Sequence, residues 1–147
     1  MTPVHIIKLV VGASDLKEFY DWQASHVIDY NGVPAVPCWT RYKPKRADEI
    51  LRTEGSIYRV VKGRIVCRHK ILGFEMVDTK VKGTMCMIMQ DAEMIETVHM
   101  PKRAFQGWRY LKPGDAPPDK GIYKGEDREE DDIPQDIAKG LKEAGLL

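Results

Sequence analysis

Alternating apolar and polar residues predict that the chain is organised around a β-hairpin in residues 56–77. β-Branched and aromatic side chains dominate this stretch, and Lys62-Gly63 forms a two-residue turn in which glycine supplies a positive φ. The turn sets the strand register and so sorts the side chains onto two faces. One predicted face is a core face made of Tyr58, Val60, Ile65, Cys67, His69 and Ile71. The other is unusually basic and consists of Ile57, Arg59, Val61, Arg64, Val66, Arg68 and Lys70.

Periodic apolar positions predict further strands and two helices. A nearly all-apolar strand at residues 4–11 is typical of a central position in a sheet. Residues 83–90 are apolar on both faces and also predict a strand inside the sheet. The other predicted elements are a helix from the cap Ser14 to about residue 28 with Leu16, Phe19, Tyr20 and Val27 buried, a strand at 36–41, a short helix at 46–52 and a final edge strand at 95–100.

Composition changes near residue 112 and predicts three segments. Residues 1–112 form a β-rich globular domain, 113–133 an acidic linker containing Pro and Gly, and 134–147 a C-terminal helix. Regular structure in the body is expected to end near Leu111. The net charge is +1, yet residues 113–147 hold 5 Lys+Arg against 10 Asp+Glu, which leaves 18 against 12 for the body. The near-neutral total therefore hides a basic body and an acidic tail.

The cysteines and the N-terminal run predict the compartment. Cys38, Cys67 and Cys86 are odd in number, lack C-x-x-C spacing and lie in apolar stretches, so we expect reduced, buried thiols. Cys67 and His69 alone provide too few ligands for a metal site. Residues 4–11 are too short to span a bilayer. The sequence predicts a soluble, cytoplasmic protein that needs no membrane, metal or cofactor, and it leaves the oligomeric state open.

Cations interleaved with aromatic residues favour an interface for RNA or a nucleotide. Binders without a reading helix need cations for phosphates and flat rings for unstacked bases. The predicted contacts are Arg41, Lys43, Lys45, Arg46, Arg64 and Arg68 with phosphate, and Trp39, Trp108 and Arg109 with a base. The alternative is a solvated basic face whose aromatic residues belong to the core.

Two other functions stay open. A small hydrolase acting on a modified base or nucleoside would use Thr40, Glu49 and Lys62 as nucleophile and general acid or base. The sequence contains no G-x-S-x-G, H-E-x-x-H, Walker or dinucleotide-binding motif, so no motif identifies an enzyme. A protein-interaction domain would instead use the C-terminal helix and exposed aromatic residues.

Four segments have the character of family motifs: PKRADEIL at 44–51, GSIYRVVKG at 55–63, CR at 67–68 and FQGWRYLKPGDAPPD at 105–119. They resemble an uncharacterised bacterial family of unknown function, the DUF1489-like proteins, over residues 3–119. The order of elements is more loosely similar to the PUA-like folds, which include the ASCH and EVE domains.

The PUA-like resemblance implies an α+β fold, a mixed β-barrel with one N-terminal helix, one short helix before the central hairpin and a C-terminal tail helix. Many PUA-like domains bind RNA or modified bases, and some ASCH relatives are amidohydrolases that use Lys, Thr and Glu. The resemblance therefore implies both the binding function and the hydrolase alternative, as an analogy of fold alone.

Overall fold

The computed structural model describes residues 2–125 and shows a sheet-rich α+β fold with two α-helices. The strands are β1 His5–Leu9, β2 Ile28–Tyr30, β3 Val33–Thr40, β4 Ser56–Val61, β5 Arg64–Thr79, β6 Gly83–Asp91, β7 Met94–Pro101, β8 Trp108–Leu111 and β9 Asp119–Tyr123. The helices are α1 Leu16–Ala24 and α2 Ala47–Arg52, and a 3-10 turn covers Pro113–Asp115. Neither helix of this part of the chain is long and apolar enough to cross a membrane.

The nine strands of the described residues form one open sheet. Its main path runs β2-β3-β6-β5-β4-β1-β8, while β7 pairs with β5 and β9 outside this path. β1 is parallel to β4 and antiparallel to β8, so the predicted central position of the first strand is confirmed. The α+β class is also confirmed. The predicted mixed β-barrel is wrong, because the sheet is open: β2 and β8 end the path without pairing to each other.

Strand β5 is shared by both parts of the sheet. Its first half lies between β4 and β7, so that Arg68 pairs with Tyr58 on one side and Ile95 on the other. Its second half pairs with β6, and the register shifts between Ile71 and Gly73. A Cβ atom at Gly73 would lie 2.2 Å from the Tyr30 hydroxyl oxygen, so only glycine lets that ring approach the strand.

The central hairpin has the predicted turn but a different register beyond it. Lys62 and Gly63 both take positive φ, at 46° and 77°, as a two-residue hairpin turn requires. The pairs next to the turn are confirmed, with Val60 opposite Ile65. The next pair joins Arg59 to Cys67, because the register shifts by one residue at this point. The residues of β5 from Cys67 to Ile71 therefore point to the face opposite the one predicted.

The predicted basic face of the hairpin is wrong. All six residues of β4 are buried, because structure covers both sides of the strand. One side packs against α1, where Leu16 and Phe19 join Val61 in an apolar cluster. The other side packs against Phe105 and Leu111. The cations of β4 and β5 therefore lie in different places: Arg59 in the interior, Arg64 at the start of β5 and Arg68 in a side cleft.

Both predicted helices of the body are present. Asp15, one residue after the predicted cap, caps α1 by accepting a hydrogen bond from the Glu18 amide. The helix ends at Ala24, so Val27 lies outside it and is exposed, contrary to the prediction. Its buried residues are Leu16, Phe19 and Gln23, with Tyr20 partly buried. The second helix follows Arg46 and buries Ile50 completely.

Regular structure continues past Leu111, contrary to the prediction. β7 is an inner strand, because β9 pairs along its outer side. Arg68 anchors β9 through two hydrogen bonds to the Asp119 carboxylate, at 2.8 and 2.7 Å. The first part of the predicted linker thus belongs to the sheet. The predicted helix at 134–147 lies outside the described residues.

Candidate binding pocket at Arg59

A cavity of about 310 Å³ opens between α1 and the strands beneath it. Its size lies at the lower end of the range for small-molecule sites, roughly 300–1,000 Å³. We name it the Arg59 pocket. It is lined by Val10, Val11, Gly12, Ala13, Glu18, Phe19, Trp22, Gln23, Pro37, Cys38, Trp39, Arg59 and Gln90.

Arg59 is the buried cation of this pocket, with 6% of its surface exposed. Its guanidinium donates to the Gln90 side-chain oxygen at 2.8 Å and to the carbonyl oxygens of Lys8 and Leu9 at 3.4 and 3.3 Å. It also lies over the Phe19 ring, 5.1 Å from the centroid. A guanidinium has five N–H donors, so two remain unused. No carboxylate of residues 2–125 forms an ion pair with it.

Gln90 fixes the position of that guanidinium. Its side-chain oxygen accepts from Arg59, and its Nε2 donates to the Val36 carbonyl at 3.1 Å. The residue is fully buried within β6, where strand pairing on both sides restrains its backbone. A buried side chain held at both ends is rigid, which preorganises the Arg59 donors.

Gln23 provides a further donor at the pocket wall. It belongs to α1, is 4% exposed, and its Nε2 has no hydrogen-bond partner. A buried amide nitrogen without a partner costs about 1–3 kcal/mol, so such groups are rare in native proteins. A ligand that accepts a hydrogen bond here would remove this cost.

Two tryptophans stand at the rim. Trp22 of α1 is 53% exposed and stacks on His26 with ring centroids 4.1 Å apart. Trp39 of β3 is 44% exposed. Exposed indoles beside a concave site offer flat faces to a planar ligand.

Lys8 adds a second positive charge near the pocket. It is partly buried on β1 and stands opposite Arg59 in the parallel register. Burial lowers its pKa, and the nearby Cys38 thiol and Arg59 charge act on it in opposite directions. The interior between β1 and β4 is therefore electropositive, which favours an anionic ligand.

The structure brings together only part of the predicted nucleic-acid interface. Trp39 lies at the pocket rim, and Arg41, Lys43 and Lys45 are exposed in the segment that follows β3. Arg46, in contrast, is engaged by Glu49 at 2.5 Å. Its guanidinium also lies over the Tyr110 ring.

The other predicted contacts lie elsewhere. Trp108 is partly buried against the core, and its Nε1 donates to the Tyr42 carbonyl at 3.0 Å. Arg109 follows it on β8, so it points to the opposite face, where it lies over the Phe105 ring. The two residues therefore do not form one stacking platform. Arg64 begins β5 at the end away from Trp39.

The three candidate hydrolase residues do not converge. Glu49 lies on α2, before β4, whereas Lys62 is in the turn after β4. A six-residue strand separates these positions by about 20 Å. Thr40 is buried at the end of β3, and none of the three lines the Arg59 pocket. The proposed catalytic set is therefore not assembled in this structure.

Arg68 lies in a second, more open cleft of about 550 Å³. Its charge is paired with Asp119, and its Nη1 donates to the Ser56 hydroxyl at 2.9 Å. Arg68 lowers the pKa of the Asp119 carboxyl by hydrogen bonding to it. Burial lowers the pKa of the His5 imidazole, whose Nδ1 accepts from the Ser56 amide. Because its charges neutralise each other, this cleft is a weaker anion site than the Arg59 pocket.

His69 lies in the interior below α1 and is fully buried. Its Nδ1 lies 2.8 Å from the Asp91 carbonyl and donates to it, whereas its Nε2 has no partner. Burial lowers its pKa to about 4, so it is neutral at physiological pH. Among the described residues, no group of three or more His, Cys, Asp or Glu is placed to hold a metal ion.

The residues at the centre of the pocket were not predicted from the sequence. Arg59 was expected on the basic face of the hairpin, and no role was expected for Gln23 or Gln90. One signal was present, because Gln90 is a polar residue that ends the otherwise apolar run TMCMIM inside the sheet. A buried amide at such a position needs a partner, and Arg59 is that partner.

Comparisons with known proteins give a family but no activity. Neither a search of curated proteins nor a search of solved structures finds a match. A family described as a protein of unknown function, DUF1489, matches residues 6–147. Since the match extends over nearly the whole sequence, the chain belongs to the DUF1489 family.

Proposed function

We propose that the protein binds a nucleotide, alone or within RNA, and that the Arg59 pocket receives its base. The observation that carries this proposal is the buried Arg59 guanidinium, which has no ion-pair partner among the described residues and two unused N–H donors. A buried cation with unused donors is costly, and hydrogen bonds to the acceptor groups of a base offset part of that cost.

The donors of the pocket match the acceptor edge of a nucleobase. Arg59 offers two N–H groups and Gln23 offers its unpartnered amide nitrogen. Carbonyl oxygens and ring nitrogens of bases accept such bonds, and arginine forms paired bonds to guanine in this way. The indoles of Trp22 and Trp39 provide stacking surfaces at the rim. The positive charges of Arg59 and Lys8 attract the phosphate.

The test is equilibrium binding of the four ribonucleoside monophosphates and of short RNA, followed by quenching of tryptophan fluorescence. We expect Arg59→Met to weaken binding by about 10- to 100-fold, the effect of a lost charge-assisted hydrogen bond. Gln23→Leu should weaken it by about 5- to 10-fold without loss of stability, because the Gln23 Nε2 makes no hydrogen bond in the unliganded protein.

Gln106→Leu is the matched control, because Gln106 is exposed and lies outside the pocket. Its affinity should equal that of the unmodified chain. Absence of binding by every nucleotide and RNA at millimolar concentration would overturn the proposal. Binding that is equally strong in Gln23→Leu, Arg59→Met and the control would place the ligand somewhere else.

A further inference from the structure

Trp39 is shared by two cavities. One is the Arg59 pocket, and the other is a cavity of about 350 Å³ at the turn between β5 and β6. Lys80 and Lys82 line this second cavity together with Thr79, Val81 and Met85. The half-exposed indole therefore stands between a donor-lined pocket and a lysine-lined one.

Cations from two chain segments meet on the far side of Trp39. Arg41 donates to the Lys82 carbonyl at 2.5 Å, which holds the segment after β3 against the β5–β6 turn. Besides Arg46, which pairs with Glu49, the exposed cations of these two segments are Arg41, Lys43, Lys45, Lys80 and Lys82. Within the described part of the chain, none of the five forms an ion pair. We name these five residues the basic patch.

We propose that the ligand is a single-stranded nucleic acid that continues from the Arg59 pocket across Trp39 onto the basic patch. This inference rests on the proposed function and specifies its ligand class. One base enters the pocket, the chain passes the indole, and the following phosphates contact Lys80 and Lys82. A free mononucleotide fills the pocket but does not reach the basic patch.

The base must be unstacked to enter the pocket, so a duplex is a poorer ligand than a single strand. Removing a base from a duplex costs a few kcal/mol of stacking and pairing, whereas a single strand presents its bases at much lower cost. Exposed cations combined with an aromatic face are the usual means of holding single strands.

The experiment compares nucleoside monophosphates with fluorescein-labelled RNA pentamers and with the corresponding duplexes, over a series of salt concentrations. The variant is Lys80→Gln/Lys82→Gln, which removes two charges from side chains without ion pairs. The matched control is Lys62→Gln/Lys102→Gln. These lysines lie beside each other at the opposite end of β5, where the Lys102 amide donates to the Gly63 carbonyl.

Support requires the single-stranded pentamers to bind at least 10-fold more tightly than the monophosphates and the duplexes. The Lys80→Gln/Lys82→Gln variant should lose this gain but keep its affinity for monophosphates. Its salt slope, the change of log K with log salt, should become shallower by about 1.4, which corresponds to two fewer phosphate contacts on a single strand.

Three results would overturn the inference. Equal affinity for pentamers and monophosphates, with binding that still depends on Arg59, would overturn this inference and leave the proposed function standing. An equal loss in the Lys62→Gln/Lys102→Gln control would show that only overall charge matters. Failure of every ligand to bind would refute the proposed function together with this inference.

Discussion

Protonation of His69 should destabilise the protein in mild acid. The imidazole is completely buried, and its ring meets that of Phe19 edge-on at 6.5 Å. Burial lowers its pKa from 6.5 to about 4, and the neighbouring positive charges of Arg59 and Arg68 act in the same direction. The folded protein therefore resists a proton that the unfolded chain accepts.

The magnitude follows from these two pKa values. Above pH 6.5 neither state binds the proton, so the contribution of His69 to stability is complete. As the pH falls below 6.5 the unfolded chain alone takes up the proton, and the contribution decreases by about 2 kcal/mol at pH 5 and about 3 kcal/mol at pH 4. Below pH 4 both states bind it, and the loss levels off.

The assay is urea unfolding of the unmodified chain and of His69→Asn at pH 7, 6 and 5. Asparagine cannot titrate, and its amide nitrogen can still donate to the Asp91 carbonyl. The variant should be less stable than the unmodified chain at pH 7. The difference between their free energies of unfolding should then shrink by about 2 kcal/mol between pH 7 and pH 5. Other titrating groups, including His5 and Asp119, contribute equally to both proteins and cancel.

Two results would refute this reasoning. A difference in the free energy of unfolding that stays constant from pH 7 to pH 5 would show that His69 binds its proton equally in both states. A His69 resonance that titrates near pH 6.5 in the folded protein, measured by NMR, would contradict the effect of burial directly.

Two further predictions concern the interior. Gly55→Ala should destabilise the protein by about 3 kcal/mol in urea unfolding, because a Cβ atom would lie 1.9 Å from the carbonyl oxygen of Val4, the residue before β1. Gly114→Ala is the control, because a Cβ atom added there would meet no atom of a non-neighbouring residue within 4 Å, and it should change stability by less than about 0.5 kcal/mol. Equal effects of the two substitutions would contradict the packing argument. Cys67 should resist iodoacetamide at pH 8 in the folded protein, because burial raises the pKa of its thiol to about 12. Peptide mapping should show Cys38, which lines the Arg59 pocket, modified first, whereas early modification of Cys67 would indicate an open interior.

Local chemistry predicted those parts of the fold that depend on neighbouring residues. Lys62-Gly63 has the conformational freedom for a two-residue turn, and apolar alternation correctly predicted a strand that includes Cys38 and Trp39. The bulge opposite Arg59 has no local sequence signal, since β5 continues with β-branched and polar residues across it. A single extra residue nevertheless reversed the predicted faces of the strand.

The parts of the fold and of the pocket that depend on contacts between distant residues were not predicted. Arg59 is buried because α1 covers it and Gln90, 31 residues away, accepts its hydrogen bond. Strand β9 has the polar composition of a linker, but the outer side of β7 and the Arg68 guanidinium hold it in the sheet. The exposed residues Trp39, Arg41, Lys43 and Lys45 were identified from composition alone, whereas the pocket they border required the tertiary structure.

The position of β1 between β4 and β8 governs how the sheet can assemble. Ile6 pairs with Ile57 on one side and with Tyr110 on the other. The two partners of the first strand therefore lie about 50 and 100 residues later in the chain. Closing such long loops costs entropy before any strand pairing repays it, and proteins rich in distant contacts fold slowly. On the ribosome, β1 therefore emerges before either partner strand, and the edge of β1 that pairs with β8 stays unpaired until synthesis has passed residue 111.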